Sequence, residues 1–288
     1  MAIVSSNSLF HFTGTQKAFF GILQKGFRHS YCFEEYKKEI AKFIFRPEIE
    51  LMRIKGSSET QYGIAVPMIC FCDIPLLQTS IHRKKYGNYC IGLDKEMAIK
   101  RLPSMNPVQY VSSDWIIQML ETLVKCTPRK DELSQYQSQV KQITKGLDVF
   151  QGAAEIIKAK QKGELATIND KLIYPVGLLL SLIKTDISCY DEREWRVFFS
   201  EAGSTQYNLT KKQFEENKKE YKEMLKSSYV TLDSSIIKHI IVPQDSMIPK
   251  IIKKLLGLKT ILGRSVSEEE KLVLISKISS FERIDGDF

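Results

Sequence analysis

"SLFHFTGTQKAFFGILQKGF", residues 8–27, reads as a short apolar strand, a turn and an amphipathic helix. In "SLFHFT" the aromatic and aliphatic residues suit a pleated, half-buried surface. In "TQKAFFGILQKGF" Ala18, Phe19, Ile22 and Leu23 fall on one helical face, and Gly26 follows as a stop. A histidine stands inside the strand. Buried, both ring nitrogens of His11 need partners. Backbone groups of a core supply them in one reading, and a bound ligand in the other.

Outward from this unit the chain continues as mixed structure. "FEEYKKEIAKFIFR" (33–46) is expected to be helical up to Arg46, since the following Pro47 disfavours helix. "IAVPMICFCDIPL" is rich in strand formers, with Pro67 suggesting an edge or a strand start. "YCIGLD" is a strand and "KEMAIKRL" a short helix. A helical insertion is expected over about residues 112–170, opened by "SSDWIIQMLETLVKC" with its stripe of Ile116, Met119, Leu120 and Leu123. After it come a strand in "EREWRVFFS", a charged helix in "TKKQFEENKKEYKEMLKSS" and a buried strand in "IIKHIIVP". A short helix in "SMIPKIIKKLLG" precedes a capping-box start at Ser267 and Glu270, whose continuation is open between helix and strand. The expectation is one α+β domain over residues 1–288, interrupted by the insertion.

Composition limits the function. The 43% hydrophobic content supports a core, and 26% charged residues is ordinary for a folded chain. A net charge of +8 favours an anionic partner: nucleic acid, a nucleotide or another protein's acidic face. The start lacks a secretory pattern, and the longest apolar run, "LIYPVGLLLSLI" (172–183), is too short to span a bilayer. A cytoplasmic protein without membrane contact is therefore expected, with its six cysteines reduced and packed as small apolar residues. Cys70 and Cys72 form a C-x-C with no second pair, so no metal site is expected. Phosphate-loop, dinucleotide-fingerprint, zincin and hydrolase-elbow motifs are absent.

Three polar placements on strands stand out. In "DEREWRVFF" Glu192, Glu194 and Arg196 share one strand face, and Arg193, Trp195 and Val197 the other. The polar face is either a surface ladder of ion pairs or a pocket floor, with Trp195 anchoring it to the core. His82 with Arg83, Lys84 and Lys85 is either a solvated loop or a phosphate clamp. Tyr86, in the turn-like "YGNY", is a turn residue or a stacking platform. Asp73 is most simply a turn or cap residue.

Taken in order, the histidine strand, "CFCDIPL…H…YGNYCIGL", "EREWR" and "IKHIIVP" resemble the abortive phage-resistance family AbiGi. That resemblance implies a bacterial defence role as the first partner, described as antitoxin, of a two-gene system, and hence a protein partner. The first-strand histidine followed by "ILQKG" also looks like the opening of ADP-ribosyltransferase-like folds, among them DarT toxins, RNA phosphotransferases and poly-ADP-ribose polymerases. This second resemblance implies a split mixed sheet and NAD as cofactor. It puts Glu194 in the catalytic place, His11 in the first binding place and Phe71 or Tyr86 in the stacking place; Thr13, His82 and Arg196 are further candidate binders of the cofactor. Two functions follow: a defence protein with an NAD site that transfers ADP-ribose, or a catalytically silent scaffold that restrains a toxin.

Overall fold

Continuous apolar runs in two neighbouring strands, Leu9 and Phe10 on one and Cys90, Ile91 and Leu93 on the next, build the middle of the molecule with both faces of each strand buried. A computed structural model describes residues 6–36, 62–102, 104–112, 114–115, 117–118, 182–184, 193–199 and 209–286. Strand β1 (Ser8–Thr13) leads through helix α1 (Gln16–Lys25) to β2 (Phe27–Arg28) and β3 (Ser30–Tyr36). Then come β4 (Tyr62–Cys72), α2 (Ser80–Tyr86), β5 (Tyr89–Asp94), α3 (Lys95–Arg101), β6 (Met105–Pro107) and β7 (Gln109–Tyr110). Beyond the expected insertion, which lies almost wholly outside the described residues, are β8 (Ile183–Lys184), β9 (Glu194–Phe198), β10 (Leu209–Thr210), α4 (Lys211–Glu216) and α5 (Lys218–Met224). The chain ends with β11 (Tyr229–Val230), β12 (Ile237–Val242), α6 (Ile248–Leu256), β13 (Thr260–Ile261), β14 (Arg264–Ser265), α7 (Glu268–Ile275), β15 (Ile278–Ser280) and α8 (Phe281–Gly286).

The main sheet runs β15-β12-β5-β1-β4-β9-β6, and β3 and β10 also pair with β4. Among the described residues only β12 and β15 run parallel in it, so the sheet is mixed and the fold is α+β, as expected. Both faces are buried. Leu9, Ile69, Phe71, Ile91, Leu93 and Val197 share one core with Phe19 and Leu23 of α1 and Ile251 and Leu255 of α6. Phe10, Cys72, Cys90 and Ile241 form a second core on the other side, closed by Phe281. Full burial of side chains such as Phe19 and Leu23 contributes about 2 kcal/mol each.

Several local expectations change. Of the helix expected over 33–46, residues 33–36 belong to β3, where Phe33 packs on Phe214 while Cys32 and Glu34 turn to the other face, and residues 37–46 lie outside the described residues. Strand period two prevails here because both faces find partners: an aromatic cluster on one and charge on the other. Pro67 sits inside β4 rather than at an edge, opposite Tyr31 of β3. Backbone N and C=O of one residue point to the same strand edge, and Pro67 O accepts from Phe199 N at 3.2 Å. The ring nitrogen therefore faces the gap between β9 and β10 and removes no rung from the β3 ladder. The charged helix breaks at Asn217 into α4 and α5. On α1 Ala18 is exposed, and the buried stripe is Phe19 and Leu23 flanked by Phe20 and Ile22. Ser267 and Glu270 do form the capping box, opening α7.

Gly87 ends α2 at φ 111°, and a Cβ there would lie 2.3 Å from Gly14 Cα and 2.6 Å from Thr13 O. Those are backbone atoms that cannot yield, so the end of β1 and the end of α2 meet only through glycine. Gly87→Ala should destabilise by about 2 kcal/mol or more in urea unfolding. Gly21→Ala, with nothing within 4 Å of the added carbon, should stabilise α1 by roughly 0.5–1 kcal/mol.

Candidate functional site

The sheet opens where β1 leaves β4. The two strands pair only at Phe10 and Cys72, whereas β1 pairs with β5 along its whole length, from Ser8–Asp94 to Thr13–Tyr89. Just past that rung the His11 ring takes over the bridge: Nδ1 donates to Cys70 O at 2.8 Å. A carbonyl can only accept, so Nδ1 carries the proton and Nε2 keeps its lone pair. Burial lowers the His11 pKa, only partly opposed by the carbonyl bond, and the ring is neutral at physiological pH. Edge-on Phe27 (5.3 Å) and tilted Phe71 (5.6 Å) fix its plane.

The splay leaves a cleft of about 380 Å³ between β1, β3, β4, β9 and α2. Its floor is ionic. Arg196 is 1% exposed and donates Nε to Glu194 Oε1 (2.9 Å) and Nη2 to Glu194 Oε2 (3.0 Å). Arg196 Nη2 also reaches Glu34 Oε1 at 2.8 Å, and Lys184 Nζ reaches Glu194 Oε2 at 2.7 Å. Burial works against ionised Glu194, but Arg196 and Lys184 overcome it and hold its pKa down to about 2. Glu34 behaves oppositely: burial dominates and raises its pKa, with Arg196 pulling it back only in part. The Arg196 pKa is raised, because its two carboxylates outweigh the burial that opposes its charge.

Of the residues singled out from sequence, His11, Phe71, His82, Tyr86, Glu194 and Arg196 all line this cleft. Thr13 does not; it pairs with Tyr89 at the far end of β1. His82 is buried on helix α2 rather than on a loop, between Phe12 (6.2 Å) and Tyr86 (6.0 Å). Tyr86 is 42% exposed at the lip, with Lys85 Nζ 5.0 Å from its ring centroid. Asp73 is a structural pin, accepting from Ser6 N (2.8 Å) and Lys95 Nζ (2.5 Å). Glu192 lies outside the described residues. Glu34, Lys184, Arg28 and the thiols of Cys32 and Cys70 also line the cleft and were not anticipated. The two thiols share a hydrogen bond that lowers the Cys32 pKa and raises that of Cys70. A larger depression, about 720 Å³, lies along α4 and α5, but exposed surface side chains line most of it and it is not a convergent polar site. Among the described residues no group of three or more His, Cys, Asp or Glu side chains is arranged to hold a metal, and no helix is long and apolar enough to cross a membrane.

A family model described as "Putative abortive phage resistance protein AbiGi, antitoxin" matches residues 58–243. The chain belongs to the AbiGi family. It is also 37% identical over 78 residues to the abortive phage resistance protein AbiGi of Lactococcus lactis subsp. cremoris, a match that spans 25% of this chain and 30% of that protein. No solved structure matches the chain. In AbiGi terms, the family match contains β4, α2, Lys184, Glu194 and Arg196, whereas β1 and β3, which bring His11 and Glu34, precede it.

Removing Arg196 would leave two buried carboxylates facing each other, so Arg196→Met should cost about 3–5 kcal/mol of unfolding free energy. Glu194, held down to about 2, contributes stability that is present above its unfolded value near 4.5 and is lost as pH falls through about 2. Glu34, shifted upward, has the opposite sign: its contribution is present below the unfolded value and is lost as pH rises through the folded one. Wild type should therefore exceed Glu194→Gln by about 3 kcal/mol at pH 6, a gap that closes toward pH 2 in a series of denaturant titrations.

Proposed function

We propose that this AbiGi-family protein is an anti-phage defence protein whose cleft between β1 and β4 binds a nucleotide, with NAD as the ligand, on an ADP-ribosyltransferase-like split sheet. The observation that carries the reading is the junction itself: strands that part after one rung, a neutral histidine bridging the gap, and a fixed carboxylate on the floor. The residues fit such a ligand. Lys85, Lys184 and Arg28 give the cleft cationic side chains suited to a pyrophosphate, and Tyr86 offers an aromatic face to a planar ring, whereas Phe71, 2% exposed, is packed in the main core behind His11 and is not a stacking platform. The cleft volume of about 380 Å³ falls within the range of small-molecule sites.

Held there, NAD would supply an ADP-ribosyl group to an acceptor, chemistry that a nearby negative charge favours. Within the chain, Glu194 is ionised throughout the physiological range and is locked by a bidentate guanidinium, so it presents a fixed negative charge that needs no reorganisation. Lys184 is its only charged contact from outside β9 among the described residues. His11 offers Nε2 as an acceptor for a ligand hydroxyl, with its tautomer set by Cys70 O.

The family description favours a second reading, an antitoxin that binds and restrains a protein partner, in which the cleft is a remnant or a docking recess. Calorimetric titration with NAD separates the two. The nucleotide reading predicts saturable binding weakened at least about tenfold by His11→Ala and unaffected by Gly21→Ala, the loss of one well-placed hydrogen bond being worth at least about 1.4 kcal/mol. No heat of binding from folded protein, together with capture of the neighbouring gene product, contradicts it in favour of the second.

A further inference from the structure

We propose that Glu34 of β3 is the proton-exchanging group of the cleft, the carboxylate that takes a proton from an attacking hydroxyl or amine, while Glu194 serves as the fixed anion. The assignment deepens the nucleotide reading and rests on it for the identity of the electrophile. It follows from an asymmetry between two carboxylates that share one guanidinium. Glu194 is saturated with charge: both oxygens accept from Arg196, and Oε2 from Lys184 as well. Glu34 has a single charged contact among the described residues, Arg196 Nη2 on Oε1, and its Oε2 has none. Its side chain is 11% exposed and lines the same cleft, so a ligand atom in the cleft can reach it while bulk water is largely excluded.

The groups that face Glu34 are Arg196 and Glu194 on β9, Lys184 on β8, and the Cys32 thiol on its own strand. Of these, Arg196 and Lys184 favour its ionised form, whereas Glu194 and burial favour the protonated one, and burial is the largest influence. Glu194 fails as a base on the same grounds: a carboxylate held at about 2 by three cationic contacts has no tendency to accept a proton near neutral pH. Two carboxylates pushed in opposite directions by their surroundings divide the roles of fixed charge and proton carrier. Transfer of the proton from an O–H or N–H to Glu34 Oε2 leaves a neutral carboxylic acid, and the nucleophile keeps the electron pair of the bond that breaks. With Glu34 protonated, the Arg196 and Lys184 charges exceed those of the carboxylates by one, so the floor then binds an anionic ligand more strongly.

The test is carboxyl carbon NMR titration of the full chain labelled at glutamate, with Glu34→Gln and Glu194→Gln used for assignment, followed by the pH profile of NAD consumption. Expected are a Glu34 midpoint above the ordinary 4.5 and a Glu194 signal that stays ionised down to about pH 3. In turnover, Glu34→Gln should lose roughly 10²-fold near neutral pH and flatten the acidic limb that wild type shows. A Glu34 midpoint at or below 4.5, or an acidic limb unchanged in Glu34→Gln, overturns the proposal. Absence of NAD binding with a raised Glu34 midpoint instead overturns the nucleotide reading alone and upholds Glu34 as the cleft's proton carrier. Should Glu34→Gln fail to fold, Glu34→Asp keeps the carboxyl and shifts its signal, so the assignment and the midpoint are still read.

Discussion

A guanidinium that is 1% exposed has to be neutralised where it stands, and the ion pairs that do this at Arg196 organise the floor of the cleft. Its bidentate grip on Glu194 is set within one strand, but the contact to Glu34 ties β9 to β3 across the face of β4, and Lys184 brings in β8. None of these groups gains much as an isolated pair, since each desolvation cost nearly offsets the attraction. Together they have one arrangement that leaves no charge stranded, and that arrangement fixes the register of three strands. Trp195 and Val197, on the opposite face of β9, pack into the main core and give the network a rigid backing.

The second constraint is the divergence of β1 from β4. A sheet that loses a rung exposes backbone groups, and His11 repairs part of the loss with a side-chain bond to Cys70 O. The far wall is held independently. Gly87 brings the end of α2 against Thr13 and Gly14, and Arg83 clamps the same helix through a bidentate pair with Asp285 and its stacking on Phe281 at 4.5 Å. The C-terminal helix α8 therefore helps place His82, Lys85 and Tyr86, although it is distant from the cleft in sequence. Both walls of the cleft are in this way tied to packed elements, which is what a preformed ligand site requires.

Much of the scaffold was legible because local signals agreed with tertiary ones. The strand at residues 8–13, helix α1 with its glycine stop, β5, β9, β12 and the capping box of α7 all read directly from periodicity and end signals. On β9 the two-residue alternation already separated Glu194 and Arg196 from Trp195 and Val197, and the polar face proved to be a pocket floor. Glu34 was missed because "FEEYKKEI" has helical composition. The competing signal was the alternation of Tyr31 and Phe33 with Cys32 and Glu34, which pays off only when an aromatic cluster from α4 and α5 covers one face. Lys184 had no local signal, for it reaches Glu194 through long-range pairing alone. Pro67 misled for a related reason: whether a missing N–H matters depends on which edge it faces, and the neighbouring strands decide that.

Hydrogen–deuterium exchange of the whole protein, with and without saturating NAD, tests most directly whether the split between β1 and β4 is a nucleotide site. The account predicts added protection concentrated in peptides covering residues 8–13, 30–36, 68–72 and 80–86, the walls of one cleft. Unchanged exchange in all four, or protection confined to other segments, would contradict it.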